Sequence, residues 1–369
     1  MDHRIVARIA ALAAAWAAAA AVAGATPAQM QAIMQEGSGG PEVLHLRSIA
    51  VPEPAAGQVL IRVYAASVNP IDWKMRSGYR PAVPPPAGGA QATGAPPPGD
   101  AGAPAARIPG LDVAGVVEKV GQGVTQFKAG DAVFSMIGRG IGGLNGAYAQ
   151  YALAPVDNVV AKPPNLSYAE AAGLGTTGMT AARILARVGL ADGQRLLVTG
   201  VAGGVGSAVA QIARARGAHV IGTASARHLR YLGSIGVEDV IDYTQGPFEE
   251  RIKDVDVVVD TVGGDTAARA LKTLRRGGSF GTVAGRADPA LCTAAGVNCA
   301  AGGPPGSGEP GEGELLRQVA ALAASGRFHV HVDRTFPLAR AGDAQEYNRA
   351  GHTEGKVILV VDARQATRR

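Results

Sequence analysis

One short run constrains this chain more than any other: Leu196-Leu197-Val198-Thr199-Gly200-Val201-Ala202-Gly203-Gly204-Val205-Gly206. An apolar, β-branched stretch runs straight into a glycine-rich turn, and a helical pattern begins at once. Glycines let a backbone approach a ligand closely, and the free N–H groups at a helix start attract phosphate. A glycine turn alone is weak evidence. Here a strand precedes it, a helix follows, and another apolar strand comes roughly 15 residues on, which is the setting of a pyrophosphate-binding unit.

The end of that next strand decides which dinucleotide fits. A site for NAD places Asp or Glu there to accept from the ribose hydroxyls. This chain reads Gly222-Thr223-Ala224-Ser225-Ala226-Arg227-His228-Leu229-Arg230, with no acid before Glu238. A hydroxyl followed by cations suits a 2′-phosphate, so the pattern predicts NADPH.

The remaining sequence divides in two. From Met30 to about residue 160, runs such as Val59–Val63 and Val113–Val117 are strand-like and no long helical period interrupts them. From about residue 161 helix and strand alternate: a helical stretch over 168–188, strands at 195–199, 219–223, 254–259 and 278–283, and a helix over 206–216. A helix at 314–324 and a last strand at 356–361 follow. Alternation of this kind predicts an α/β domain, a doubly wound parallel sheet with helices on both faces. Residues 81–106 hold 8 Pro, 5 Gly and 9 Ala with Asp100 as the sole charge, so a mobile loop is expected there. A second glycine-rich loop is expected over 302–313.

Composition removes other classes. The formal net charge of +5 is concentrated at the two ends, and no basic stripe with interleaved aromatics appears, so nucleic-acid binding is rejected. With only two cysteines, Cys292 and Cys299, a zinc site of three or four thiolates and a disulfide-dense scaffold are both excluded. The pair is expected to be disulfide-bonded if the protein is exported and to be ordinary thiols in a cytoplasm. Residues 1–25 read as an export signal: His3, Arg4 and Arg8, an alanine-rich run, then Ala23-Gly24-Ala25. The alternative is a natural start at Met30 and a cytoplasmic protein; no stable membrane span is expected in either case.

Further segments, taken in order, resemble one family. They are Gly39-Gly40-Pro41-Glu42-Val43-Leu44, Ser67-Val68-Asn69-Pro70-Ile71-Asp72, Pro109-Gly110-Leu111-Asp112-Val113-Ala114-Gly115, and Gly130-Asp131-Ala132-Val133. After the glycine loop come Val240-Ile241-Asp242-Tyr243, Asp260-Thr261-Val262-Gly263-Gly264 and Gly351-His352-Thr353-Glu354-Gly355-Lys356. Together they resemble the medium-chain dehydrogenase/reductases, in the zinc-independent quinone oxidoreductase (zeta-crystallin-like) branch. The resemblance implies a GroES-like mainly β substrate domain over 30–160, a Rossmann domain over 161–324, and a segment 325–362 that completes the first. It also implies a homodimer. No metal is expected: Gly110-Leu111-Asp112 stands where zinc-dependent relatives carry Gly-His-Glu, and an early cysteine ligand is missing.

Carried over by position, Ala202, Gly203, Gly204, Val205 and Gly206 would hold the pyrophosphate, and Ser225 with Arg227 or His228 the 2′-phosphate. Tyr243 would flank the adenosine ribose, Asn69 and Thr180 would lie near the nicotinamide, and Lys356 would approach the cofactor. Asn69 and Asp72 are the candidate catalytic residues. Asn69 would fix the nicotinamide or a substrate oxygen. Asp72 would orient Asn69 or a water, or else simply cap a turn or helix. His352 is expected only to shape the turn before the last strand. Trp73-Lys74 replaces a tyrosine common in quinone reductases, with Tyr79 a possible substitute. Without a metal to polarise a carbonyl, an electron-poor acceptor is favoured. The expected activity is NADPH-dependent reduction of quinones. The alternatives are an enoyl or alkenal reductase, and an NADPH-binding redox sensor or structural protein with little turnover.

Overall fold

The computed structural model describes residues 26–79, 106–137, 144–237, 239–301 and 308–369. The expected export segment, nearly all of the Pro/Gly/Ala stretch, Glu238 and residues 302–307 lie outside the described residues.

The first part of the chain is mainly strand: β1 (Gln29–Gln35), β2 (Leu44–Ala50), β3 (Gln58–Val68), helix α1 (Pro70–Arg76), β4 (Asp112–Val120), β5 (Ala132–Met136), β6 (Tyr151–Pro155) and β7 (Val159–Ala161). The middle alternates: α2 (Tyr168–Ala172), α3 (Gly175–Arg187), β8 (Arg195–Thr199), α4 (Gly204–Ala215), β9 (His219–Ala224), α5 (Leu229–Ser234), β10 (Asp239–Asp242), α6 (Phe248–Arg251) and β11 (Val255–Asp260). It continues with α7 (Asp265–Leu271), β12 (Leu274–Thr282), α8 (Pro289–Ala295), β13 (Asn298–Ala301) and α9 (Glu312–Ala324). The chain then returns through β14 (Val332–Pro337), α10 (Ala341–Arg349) and β15 (Lys356–Val360).

Six strands form a wholly parallel sheet in the order β10-β9-β8-β11-β12-β13. Taken in sequence order this is 3-2-1-4-5-6, the doubly wound arrangement, whose ligand crevice opens where the order reverses between β8 and β11. The second sheet runs β14-β15-β3-β4-β5-β7, with β6 also paired to β3. β3 is its hub. One edge pairs with β4; the other is shared by β6 along residues 58–62 and β15 along residues 65–68. The last strand of the chain is therefore an interior strand of the first domain's sheet.

The helix expected over 168–188 is two helices. Ser167 and Glu170 form a reciprocal capping box that fixes α2, and Gly173 ends it. A side chain at Gly173 would meet Val330 at 2.6 Å and the Lys356 stem at 3.3 Å, so the break leaves a passage for the returning chain. Cys292 is on α8 and Cys299 on β13, and the two are joined as a disulfide. One apolar core bridges the two domains, with Tyr64 of β3 and Tyr168 of α2 in edge-to-face contact at 4.8 Å.

Candidate functional site

The crest of the parallel sheet is built around the glycine loop. Gly200 follows β8 with a left-handed φ of +65°, and a side chain at Gly206 would come within 2.3 Å of the Gly200 carbonyl oxygen. Both positions therefore require glycine. At the start of α4 the N–H groups of Gly204, Val205 and Gly206 have no intrahelical acceptor. Gly203, Gly204 and Val205 are partly open to solvent, while Ala202 and Gly206 are buried. Open backbone donors at a helix start form a cradle of the kind that suits an anion such as a pyrophosphate. Beneath it, Asp260 accepts from the Thr199 hydroxyl (2.6 Å), the Thr282 hydroxyl (3.0 Å) and the Gly263 N–H (3.0 Å). One buried carboxylate thus ties together the ends of β8, β11 and β12.

Beside the cradle, β9 ends at Ala224 and Ser225 opens a short turn without a side-chain capping bond. Tyr243 lies at the end of the adjacent β10, half-exposed, since Asp242 pairs with Ala224. Arg227 is exposed. His228 is buried, and both its ring nitrogens are bonded within the protein, to Arg227 and Glu354. Of the two cationic candidates for a 2′-phosphate, Arg227 is the one with open donors.

At the junction of the two sheets lies a buried polar knot. Asn69 is the N-cap of α1, but its side chain turns inward: Oδ1 accepts from Lys356 Nζ at 2.7 Å and Nδ2 donates to Asp112 at 2.8 Å. Asp72 supplies the cap instead, accepting from the Asn69 N–H at 2.8 Å and from the Tyr148 hydroxyl at 2.9 Å. Asp112 also accepts from the N–H (2.8 Å) and hydroxyl (2.7 Å) of Thr176 at the start of α3. Lys356 donates further to the Val68 carbonyl at 3.2 Å, and its stem lies against Gly204 of the cradle. Asn69, Asp72, Asp112, Tyr148 and Lys356 are all at most 5% exposed.

Burial dominates the electrostatics here. It raises the Asp72 carboxyl to about 7, with the Asp112 charge adding to the effect and the Asn69 and Tyr148 hydrogen bonds opposing it. Asp112 is raised for the same reason, against the pull of Lys356. Lys356 is lowered, and the Tyr148 hydroxyl is raised well above its ordinary range. The knot is a closed set of mutually bonded donors and acceptors, and Asn69 is held in one amide orientation by a donor on one side and an acceptor on the other.

Asn69, Asp72, Lys356 and the glycine loop thus converge. Thr180 is half-buried on α3, one turn beyond the Thr176 that enters the knot. Tyr79 is largely exposed at the border of the described residues, and Trp73 donates to Asn348 at 3.1 Å. Asp112, Tyr148, Thr176 and Glu354 are the residues that reading along the chain missed as site components. Asp112 and Glu354 stood inside recognised segments, and that was their only signal. Among the described residues no group of three or more His, Cys, Asp or Glu side chains could hold a metal ion, and no helix is long and apolar enough to cross a membrane.

Comparison with known proteins bears on the same architecture. Residues 55–164 match the alcohol dehydrogenase GroES-like domain, and residues 235–359 match a family described as zinc-binding dehydrogenase. The chain is 34% identical over 348 residues to a 2-methylene-furan-3-one reductase of Solanum lycopersicum, covering 90% of this chain and 79% of that protein. It is also 34% identical over 348 residues to an NADPH-dependent alkenal/one oxidoreductase of Arabidopsis thaliana, covering 90% of this chain and 80% of the relative. A solved quinone oxidoreductase from Coxiella burnetii superposes with a TM-score of 0.75 at 29% identity, over 90% of this chain and 99% of its own.

Proposed function

Because this chain belongs to the medium-chain dehydrogenase/reductases, in their zinc-independent quinone oxidoreductase-like branch, we propose that it is an NADPH-dependent reductase of quinones or α,β-unsaturated carbonyl compounds. The observation that carries the choice of cofactor is the end of β9, where Ser225 and the exposed Arg227 stand and β9 itself supplies no acid. The bound nicotinamide would supply hydride, and a proton from solvent would complete the two-electron reduction.

The chain's own residues would bind and orient. The N–H groups of Gly204, Val205 and Gly206 would hold the pyrophosphate, with Ser225 and Arg227 at the 2′-phosphate and Tyr243 beside the adenosine ribose. Asn69, Thr180 and Lys356 would border the nicotinamide end. Asn69 has its amide oxygen engaged by Lys356 and one amide hydrogen by Asp112, which leaves a single Nδ2 hydrogen to offer. Asp72 acts in this reading by holding α1 and Asn69 in place. A quinone or enone needs little electrophilic help, so an aligned pair of reactants in a dry cleft suffices.

The test is oxidation of NADPH by purified protein starting at Met30, with a quinone and an enone as acceptors and NADH in parallel. Turnover with NADPH and either acceptor supports the proposal, and the faster acceptor names the substrate class. Saturable NADPH binding without oxidation would move the protein to a sensor or structural role, and equal use of NADH would refute the reading of Ser225 and Arg227.

A further inference from the structure

The adenosine end of the cleft contains a chain of hydrogen bonds whose outer half comes from the other domain. Arg227 Nε donates to His228 Nε2 at 2.9 Å, and Arg227 Nη2 donates to the His352 carbonyl at 3.2 Å. An imidazole nitrogen that accepts must carry a lone pair, so the ring proton of His228 sits on Nδ1. That nitrogen lies 2.8 Å from Glu354 Oε1 and donates to it. The other carboxylate oxygen of Glu354 is 3.8 Å from His331, whose ring packs on buried Tyr231. The carboxylate is thus flanked by two imidazoles.

We propose that Glu354 is a specificity-determining positioning residue: acting through His228, it aims the Arg227 guanidinium at the 2′-phosphate of NADPH. The inference rests on the NADPH reading above and deepens it. A guanidinium has five N–H donors. Here Nε and one Nη2 hydrogen are engaged by His228 and the His352 carbonyl. That leaves three of the five donors, two on Nη1 and one on Nη2, to meet a phosphate. A flexible arginine would lose much of its rotamer freedom on meeting a phosphate; one held in advance does not.

The backbone around Glu354 is shaped for this. Gly351, His352 and Gly355 have φ of +78°, +69° and +71°. His352 is not glycine, and a left-handed conformation is unfavourable for a residue with a Cβ. That conformation presents its carbonyl to Arg227, so the strain falls on a residue that makes a directed contact. At the far end of the turn the Gly355 N–H donates to the Ala202 carbonyl at 2.9 Å, tying the same turn to the pyrophosphate cradle.

The experiment is fluorescence titration of the full chain with NADPH and with NADH, giving a ratio of dissociation constants for wild type, Glu354→Ala, Glu354→Gln, His228→Ala and the double alanine variant. The expected result is a fall of at least tenfold in NADPH preference for Glu354→Ala, carried by weaker NADPH binding. Glu354→Gln keeps most of the preference, because its amide oxygen still accepts the Nδ1 proton. The double variant is no worse than the worse single one, since both break the same chain of bonds. Glu354→Asp keeps the charge but withdraws the acceptor by one methylene; it gives a smaller loss in the same direction and serves if the alanine variant does not fold. A wild type that prefers NADPH, with a ratio unmoved by Glu354→Ala, overturns the role of Glu354 and leaves the NADPH reading standing. A selective loss of NADH binding would make Glu354 an acceptor for the ribose 2′-hydroxyl instead, which also overturns it. A wild type that prefers NADH refutes the NADPH reading itself.

Discussion

At the scale of single residues, Asp72 carries the clearest signature. Its carboxyl is raised from 3.8 to about 7, chiefly by burial. A carboxyl whose folded pKa exceeds its unfolded one holds its proton more tightly in the folded state. Its contribution to stability is therefore full below about pH 4 and is lost as the pH rises to about 7, after which it is level. Asp72→Asn removes this dependence while keeping an oxygen for the Asn69 N–H and the Tyr148 hydroxyl. The melting temperature of wild type is expected to fall between pH 5 and pH 7.5 more than that of Asp72→Asn. Parallel curves would show that Asp72 is ionised throughout that range. Gly175 offers a second test. A methyl there would meet Asp112 Oδ1 at 2.4 Å, pushing the carboxylate off Thr176 and Asn69. Gly175→Ala is expected to cost about 1–3 kcal/mol in urea unfolding and to weaken cofactor binding as well.

These residues show how far the sequence could be read. Asn69, Asp72 and Lys356 were legible because each stands in a short segment of recognisable spelling. Tyr148 was not, because nothing near it in the chain hints that its hydroxyl reaches Asp72, 76 positions away. Glu354 is the stronger case. The absence of an acid after β9 was read correctly along the chain, yet an acid stands there in space, 126 positions later, from the returning segment.

At the scale of elements, local signals decided what was predictable. The glycine loop was visible because strand, turn and helix are contiguous. The split between α2 and α3 was not, because both halves carry a helical pattern and the interruption serves chain passing nearby, at Val330 and Lys356. The cysteine pair is similar: helix α8 and strand β13 are too short to announce themselves, and together they bring the two sulfurs into bonding contact. A crosslink closing so short a loop stabilises by about 2 kcal/mol. Reduction is expected to speed amide exchange within residues 289–301 while leaving β8 and β9 protected, as read by hydrogen-exchange mass spectrometry. Uniform loosening of the sheet would show that the bond supports more than its own corner.

At the scale of the whole molecule, the two domains are not consecutive beads. The sheet containing β3 needs β14 and β15, which follow the entire parallel sheet in sequence. Residues 26–161 expressed alone are expected to aggregate, and to become soluble when the segment 332–369 is supplied in trans, as judged by size-exclusion chromatography and far-ultraviolet circular dichroism. A stable, monomeric fragment 26–161 would show that β15 adds to a finished sheet rather than completing it. The same interleaving lets one returning segment reach two places: Lys356 bonds to Asn69 beside α1, and Glu354 to His228 just after β9.

The shared edge of β3 has a consequence for how the protein is made. Residues 58–62 of that edge find β6 early, but residues 65–68 wait for β15. At ribosomal rates of about 5–20 residues per second, the wait lasts on the order of 10–40 s. During that interval the nascent chain presents a bare apolar strand end, Ala65-Ala66-Ser67-Val68, to whatever is near. The tempo of translation, and the company the chain keeps while still on the ribosome, therefore belong among the determinants of how much of this enzyme a cell obtains.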